Sequence, residues 1–322
     1  MIKKILENIP HLNYSIIPTP IYKLEKISEK YNSEIFCMRD DMTGFAFGGN
    51  KTRKLDYLVY DAKMQGADTL LAVGSNQSNF CRIVAAYGAV EKMNVHLHLS
   101  GKQQDDPTGN LLLDYLFNAR ITFTDSTENS KIEEESVLIE NELNGKGHKV
   151  YRMPMGGSTP VGVLGYLNAF DEILSFEKKN NMEFDHIFLA SGSGGTQAGL
   201  VLGKAVSGWK GNIIGISVGR STQELSLVIG NLVRNTADYL KIDINEPEIE
   251  VNDEYIGESY GKFTTAGTDA IKDFAINEGI ILDNVYTGKA AAGMLDIIKN
   301  KIIKPNSKVL FIHTGGNIEL FE

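Results

Sequence analysis

The 322-residue chain has little cysteine: Cys37 and Cys81 are its only thiols. Two thiols make neither a disulfide framework nor a four-thiolate zinc site, so a reducing compartment is expected. No run of about 18 apolar residues occurs, which excludes a membrane-spanning helix. The first eight residues begin basic, but Glu7, Asn8 and Pro10 break the apolar stretch at once, which reads against a signal peptide. Basic excess is also missing. Lys and Arg number 32 against 41 Asp and Glu, a net charge of −9, where a nucleic-acid binder carries a basic face. His/Cys/Asp/Glu clusters with metal-ligand spacing are absent; His96 and His98 alternate on a strand-like run with no thiolate nearby. No internal repeat is found. Glu133–Glu135 and Lys178–Asn181 read as solvated helix faces or ends. These absences leave a cytoplasmic enzyme acting on a small molecule, without nucleic acid, membrane or metal.

What the chain does have is glycine, 32 residues of it, gathered at the ends of apolar runs. Eight such runs are short and rich in β-branched or aromatic residues: 35–38, 69–73, 95–99, 121–124, 150–153, 187–190, 213–218 and 309–312. Helix-period stretches separate many of them, such as 79–92 and 196–206. The pattern predicts an α/β protein of two domains, with mostly parallel sheets flanked by helices. Ligands of such sheets bind at the carboxyl ends of the strands, where the glycine turns lie.

The turn Gly48-Gly49-Asn50-Lys51-Thr52-Arg53-Lys54 precedes a helix-like segment from Leu55. Asn50 stands where a P-loop needs glycine, so a nucleoside triphosphate is excluded. Three cations at a helix start oppose the helix dipole, unless an anion is close or a lysine is kept neutral for chemistry. A neutral amine can form a Schiff base. The second turn, Ser191-Gly192-Ser193-Gly194-Gly195-Thr196-Gln197, follows a strand and opens a helix. Its backbone N–H groups suit a phosphate. Gln197 replaces the third glycine of a dinucleotide fingerprint, and no acid follows about 20 residues on, which favours a single phosphate. The third, Gly74-Ser75-Asn76-Gln77-Ser78-Asn79, has more small polar residues than one helix cap needs and could grip a carboxylate or a ring hydroxyl. His313-Thr314-Gly315-Gly316 ends the last strand; His313 alone reads as a packed core histidine, whereas Thr314 could bond a ring nitrogen. Tyr260 and Tyr286 stand beside glycine turns and, taken singly, read as packing residues. Cys81 reads as a buried thiol.

Taken together and in order, these stretches resemble the pyridoxal-phosphate (PLP) enzymes of the tryptophan-synthase-β-like fold, fold type II. Within them the chain is similar to the D-cysteine desulfhydrase and 1-aminocyclopropane-1-carboxylate (ACC) deaminase family. The likeness covers Pro18–Pro20, Gly48–Leu55, Gln77–Asn79, Thr108–Asn110, Gly156–Ser158, Ser191–Gly199, Leu282–Lys289 and Phe311–Gly316. It implies that Lys51 carries PLP as a Schiff base and shuttles the α-proton. Asn79 would hold the ring 3-hydroxyl. Gly192, Ser193, Gly194, Gly195 and Thr196, with Lys54, would bind the cofactor's phosphate end. Ser78 would meet the substrate carboxylate or assist proton transfer, and Tyr260 and Tyr286 would line the substrate side. The pyridine nitrogen falls to Thr314 or Thr287. The resemblance further implies a large PLP domain (1–53 and 161–322), a small inserted α/β domain (54–160) and a homodimer.

A hydroxyl at the pyridine nitrogen leaves the ring neutral, which suits prompt loss of a good β-leaving group. Thr287 also stands where ACC deaminases carry Glu. β-Elimination from a D-amino acid is therefore expected, with D-cysteine giving pyruvate, sulfide and ammonia. ACC deamination, L-cysteate sulfo-lysis and racemization are the alternatives on the same scaffold. Retention of Lys51, Ser78 and both tyrosines reads against a non-catalytic PLP carrier. The chain departs from relatives at Phe80, at Asn284 and in the run Asn317–Glu322, where they have a Pro-Ala-Leu-Phe-like sequence. Arg82 and Arg220 are cations that a sulfonate would want, unless they are surface residues.

Overall fold

The computed structural model describes residues 1–321. Ten strands form two sheets: β1 (Ile21–Lys23), β2 (Glu34–Met38), β3 (Thr69–Ser75), β4 (Asn94–Ser100), β5 (Arg120–Thr124), β6 (Val150–Met153), β7 (His186–Ser191), β8 (Asn212–Ser217), β9 (Glu250–Asn252) and β10 (Lys308–Ile312). The larger sheet has the order β1-β2-β10-β7-β8-β9 and the smaller β5-β4-β3-β6. Every pairing is parallel except β1 with β2. All eight expected strands are present. The two further ones, β1 and β9, are three-residue edges, too short to show a period. Val218, expected within the strand, lies just beyond β8.

Apolar packing on both faces explains the continuous hydrophobic runs. Ile187 and Leu189 of β7 enter one core with Val163, Leu167 and Leu200. Phe188 and Ala190, one residue out of phase, enter the other with Phe274, Met294 and Phe311. The small sheet has its own core, from Leu70, Ala72, Leu97 and Leu99 against Val84 and Tyr87.

The helix expected from Leu55 begins at Asn50 and runs to Met64, so Lys51 lies in its first turn. The expected boundary at residue 53/54 therefore falls inside a helix. Leu55, Leu58, Val59 and Ala62 join the small-sheet core, while Tyr57 joins a large-sheet core. The other expected boundary, at 160/161, falls at the start of the helix Pro160–Asn180.

Some glycines serve packing rather than turns. A Cβ on Gly165 would lie 2.5 Å from the Arg53 carbonyl oxygen, and one on Gly199 would lie 2.7 Å from that of Val163. The helices 50–64, 160–180 and 195–207 thus approach backbone to backbone, which sets the depth at which Lys51 enters the protein.

Candidate active site

Four segments meet at the carboxyl edges of the two sheets: the start of helix 50–64, the loop after β3, the loop after β7 and the loop after β10. The helix 195–207 opens at Gly194, whose φ of +84° only glycine takes without strain, and no side chain caps it. Its first N–H groups are therefore open to a ligand. Lys54 Nζ reaches this helix start and donates to the Gly156 carbonyl at 3.1 Å. A Cβ on Gly195 would sit 2.7 Å from both Lys54 Nζ and Ser158 Oγ. Ser158 Oγ donates to Ser193 Oγ at 2.8 Å, and Asn50 Nδ2 donates to Thr196 Oγ1 at 3.0 Å. A cation, three hydroxyls and a bare helix N-terminus round a glycine-lined hollow fit a phosphate monoester. The structure brings together Gly192, Ser193, Gly194, Gly195, Thr196 and Lys54 as expected of such a cup. Asn50 and Ser158 join it without having been assigned a part, although both lie in stretches that carried the resemblance.

Lys51 Nζ lies at the rim of this hollow, 3.6 Å from where a Cβ on Gly156 would stand. Burial lowers its pKa to about 8, while the negative charge of Glu319 pulls the other way. Burial, and then the neighbouring Lys51, hold Lys54 well below the ordinary lysine value. The third cation of the turn has a different role. Arg53, 2% exposed, forks onto Asp40 and Glu172 and also donates to Thr19. Its anion is the protein's own, supplied by the end of β2 and by helix 160–180.

Ser78 caps the helix Asn79–Glu91, accepting from Cys81 N at 3.2 Å, so its hydroxyl hydrogen stays available. Asn79 accepts from Asn110 Nδ2 at 3.1 Å and donates through Nδ2 to Glu319. One amide hydrogen of Asn79 is left for a further acceptor. Glu319 is buried in the last short turn, Asn317–Phe321, which packs on the helix Gly109–Leu116. Sequence reading assigned it no role; its signal was the departure from the relatives' run at 317–322.

Thr314 is buried directly behind the lysine turn, its carbonyl accepting from Asn50 N at 2.9 Å. Thr287 is engaged elsewhere: its hydroxyl donates to Asp283 Oδ1 at 2.6 Å and accepts from Asp283 N at 2.9 Å. Asp283 also accepts from the backbone of Val285, Tyr286 and Thr287, which pins that turn. His313 is a core histidine, bonded to the Ile281 carbonyl at 2.9 Å and held neutral by burial.

The hydroxyls of Tyr260 and Tyr286 bond each other, and the Ser75 side chain also reaches Tyr260. Tyr260 is 48% exposed, with its hydroxyl turned to Tyr286. Burial of its hydroxyl, with Glu319 nearby, pushes its pKa up to about 12, and Tyr286 rises well above the ordinary value. Both stay protonated and can donate at neutral pH. Lys289 Nζ donates to the carbonyl of Ile256 at 2.7 Å and tethers the loop that carries Tyr260. Arg82 is not a surface residue: it is 2% exposed and donates to the Gly48 carbonyl at 3.1 Å. Arg220 is half-buried, its backbone tied to Ser217.

Among known proteins, residues 12–315 match the family described as pyridoxal-phosphate dependent enzyme. A Pyrococcus abyssi protein named "Putative 1-aminocyclopropane-1-carboxylate deaminase" is 36% identical over 312 residues, which are 97% of this chain and 93% of that protein. A crystal structure described as an ACC deaminase homologue superposes with a TM-score of 0.93 at 35% identity, covering 99% of this chain and 96% of its own. The processed form of threonine deaminase isoform 2 from Solanum lycopersicum shares the fold, with a TM-score of 0.71 at 16% identity over 98% of this chain and 84% of that one.

Proposed function

This chain belongs to the pyridoxal-phosphate-dependent enzyme family, in its fold type II branch, and from that premise we propose that it eliminates the β-substituent of a small D-amino acid. The substrate proposed is D-cysteine, which with one water gives pyruvate, hydrogen sulfide and ammonia. PLP, the cofactor of the family, withdraws electrons from the substrate Cα when bound.

In this reading Lys51 binds PLP and then moves the Cα proton at Nζ. The cup of Gly192–Thr196, with Lys54 and Ser158, binds the phosphate and fixes the ring's position. Asn79 offers its remaining N–H to the ring oxygen, and its amide is kept from turning by Asn110 and Glu319. Thr314 is assigned to the ring nitrogen in preference to Thr287, whose hydroxyl Asp283 already engages. Ser78 donates to the substrate carboxylate. Tyr260 and Tyr286, protonated and bonded to each other, supply a proton to the departing group.

The observation that carries β-elimination is the state of Thr287. A hydroxyl fully engaged with Asp283 stands where ACC deaminases have a carboxylate, so no acid faces the ring from that turn. A second reading, ACC deamination to 2-oxobutyrate, is favoured by the name of the 36%-identical relative. The PLP-loaded protein should be given D-cysteine, L-cysteine and ACC, with sulfide, pyruvate and 2-oxobutyrate measured. Pyruvate and sulfide from D-cysteine support the proposal. 2-Oxobutyrate from ACC without sulfide from D-cysteine transfers it to the second reading. The reading also carries a cytoplasmic homodimer, each subunit divided into 1–53 with 161–322 and the inserted 54–160; sedimentation at micromolar concentration tests the dimer.

A further inference from the structure

Lys289 is a buried amine to which the proposed reaction gives no part. It stands in the first turn of the helix Thr287–Lys299 and is 0% exposed. Its Nζ donates to two backbone carbonyls, that of Ile256 at 2.7 Å and that of Ser259 at 3.4 Å. Taking an ammonium out of water to meet neutral carbonyls rather than a carboxylate gains little for the fold. What it fixes is the shape of one turn. The two carbonyls flank Gly257, whose φ is +76°, and Ser259 directly precedes Tyr260. Residues 257–263 are exposed throughout, and Gly261 repeats the left-handed backbone at φ +79°. Tyr260 rests just past β8, where a Cβ on Gly219 would lie 3.0 Å from its own Cβ, and its hydroxyl meets that of Tyr286. Tyr286 in turn opens the helix whose first turn carries Lys289. One helical turn therefore holds both members of the tyrosine pair, Tyr286 directly and Tyr260 through two carbonyls.

We propose that Lys289 is the positioning residue of Tyr260: by gripping the Ile256 and Ser259 carbonyls it keeps the Tyr260 hydroxyl seated against that of Tyr286. The inference rests on the reading that this pair serves the departing β-substituent. A proton donor on an exposed loop is useful only while its hydroxyl stays at one point, because a misplacement of about 1 Å can cost about 10²-fold in rate. The buried amine supplies that constraint from behind, without touching substrate. The other anchor of the loop, Tyr255 to Asp296 at 2.6 Å, lies upstream of both gripped carbonyls and does not bear on Tyr260 in the same way.

The test uses the PLP-loaded enzyme and its variants Lys289→Met, Tyr260→Phe and the double variant. Lys289→Met keeps the length of the side chain and removes the donor. Backbone hydrogen exchange, followed by mass spectrometry, should quicken at least about tenfold over 256–262 in Lys289→Met and stay unchanged over 195–207. With D-cysteine as substrate, kcat should fall about 10–10²-fold and KM stay within about threefold. In the Tyr260→Phe background the same substitution should cost less than about threefold more, since a residue that acts through Tyr260 has nothing left to position. Tyr255→Phe should leave kcat within about twofold. Lys289→Gln, whose shorter stem cannot span both carbonyls, carries the same expectations and decides the matter if Lys289→Met does not fold. Unchanged exchange over 256–262 overturns the proposal, and so do losses that multiply in the double variant. A wild type that turns over neither D-cysteine nor ACC sinks the lyase reading instead, and quickened exchange confined to 256–262 then still supports the grip of Lys289 on this loop.

Discussion

Two opposing effects act on the Lys51 nitrogen and give it the acid–base character that the proposed chemistry needs. Burial disfavours the ammonium, and the Glu319 carboxylate restores part of the loss, leaving a pKa of about 8. Attack on an aldehyde needs the neutral amine. In the unloaded enzyme the rate of PLP capture should therefore rise about tenfold per pH unit below 8 and level off above it. Glu319→Gln removes the raising influence, so the midpoint should move to lower pH; stopped-flow absorbance follows both. Tyr286 presents a different residue-scale expectation. As a proton donor whose ring also packs, it should tolerate Tyr286→Phe structurally but lose about 10²–10⁴-fold in kcat, with KM nearly unchanged.

At the scale of elements, the proposed phosphate cup is a helix start left uncapped, and its fit depends on having no side chain at Gly195. Gly195→Ala would place a methyl group 2.7 Å from Lys54 Nζ. It should weaken PLP retention at least about tenfold in equilibrium dialysis while leaving the circular dichroism spectrum unchanged. The helix 109–116 carries a cost of its own. Asp114 is fully buried on it, neither carboxylate oxygen has a hydrogen-bond partner, and burial raises its pKa to about 8. A carboxyl whose folded pKa is raised loses stability for the fold as pH climbs from the unfolded value near 4 to about 8. Asp114→Asn should thus raise the Tm by a few degrees at pH 8.5 and change it little at pH 4.5.

Elements were more legible in the sequence than pairings. The glycines at 48–49 and 192–195 stood beside readable apolar runs and lead directly into the helices 50–64 and 195–207, whereas Gly74, expected in a turn, lies within β3. Glycines inside helices gave no such cue. Gly165 and Gly199 report contacts between segments more than a hundred and more than thirty residues apart, respectively, which no local pattern records. The cations of the lysine turn show the same limit. Their crowding signalled anions, but that Asp40 and Glu172 serve Arg53 depends on two remote segments arriving at one point. Glu319 was visible only as an unusual letter in an otherwise ordinary tail.

Across the whole molecule, Arg53 joins the N-terminal loop, the end of β2 and helix 160–180 through Thr19, Asp40 and Glu172. Breaking such a buried ion network from one side leaves carboxylates without compensation. Arg53→Met should cost about 3–5 kcal/mol, read as a lower urea midpoint in the PLP-loaded and unloaded protein alike.

The helix 50–64 gives this arrangement a mechanical consequence. One rigid rod begins at the Lys51 amine, carries the Arg53 anchor two residues later and packs into the cores of both sheets. The amine cannot drift while the two sheets stay packed on this helix, nor keep its place once they part. Inactivation by heat should therefore coincide with global melting, with no window in which a compact but idle enzyme accumulates.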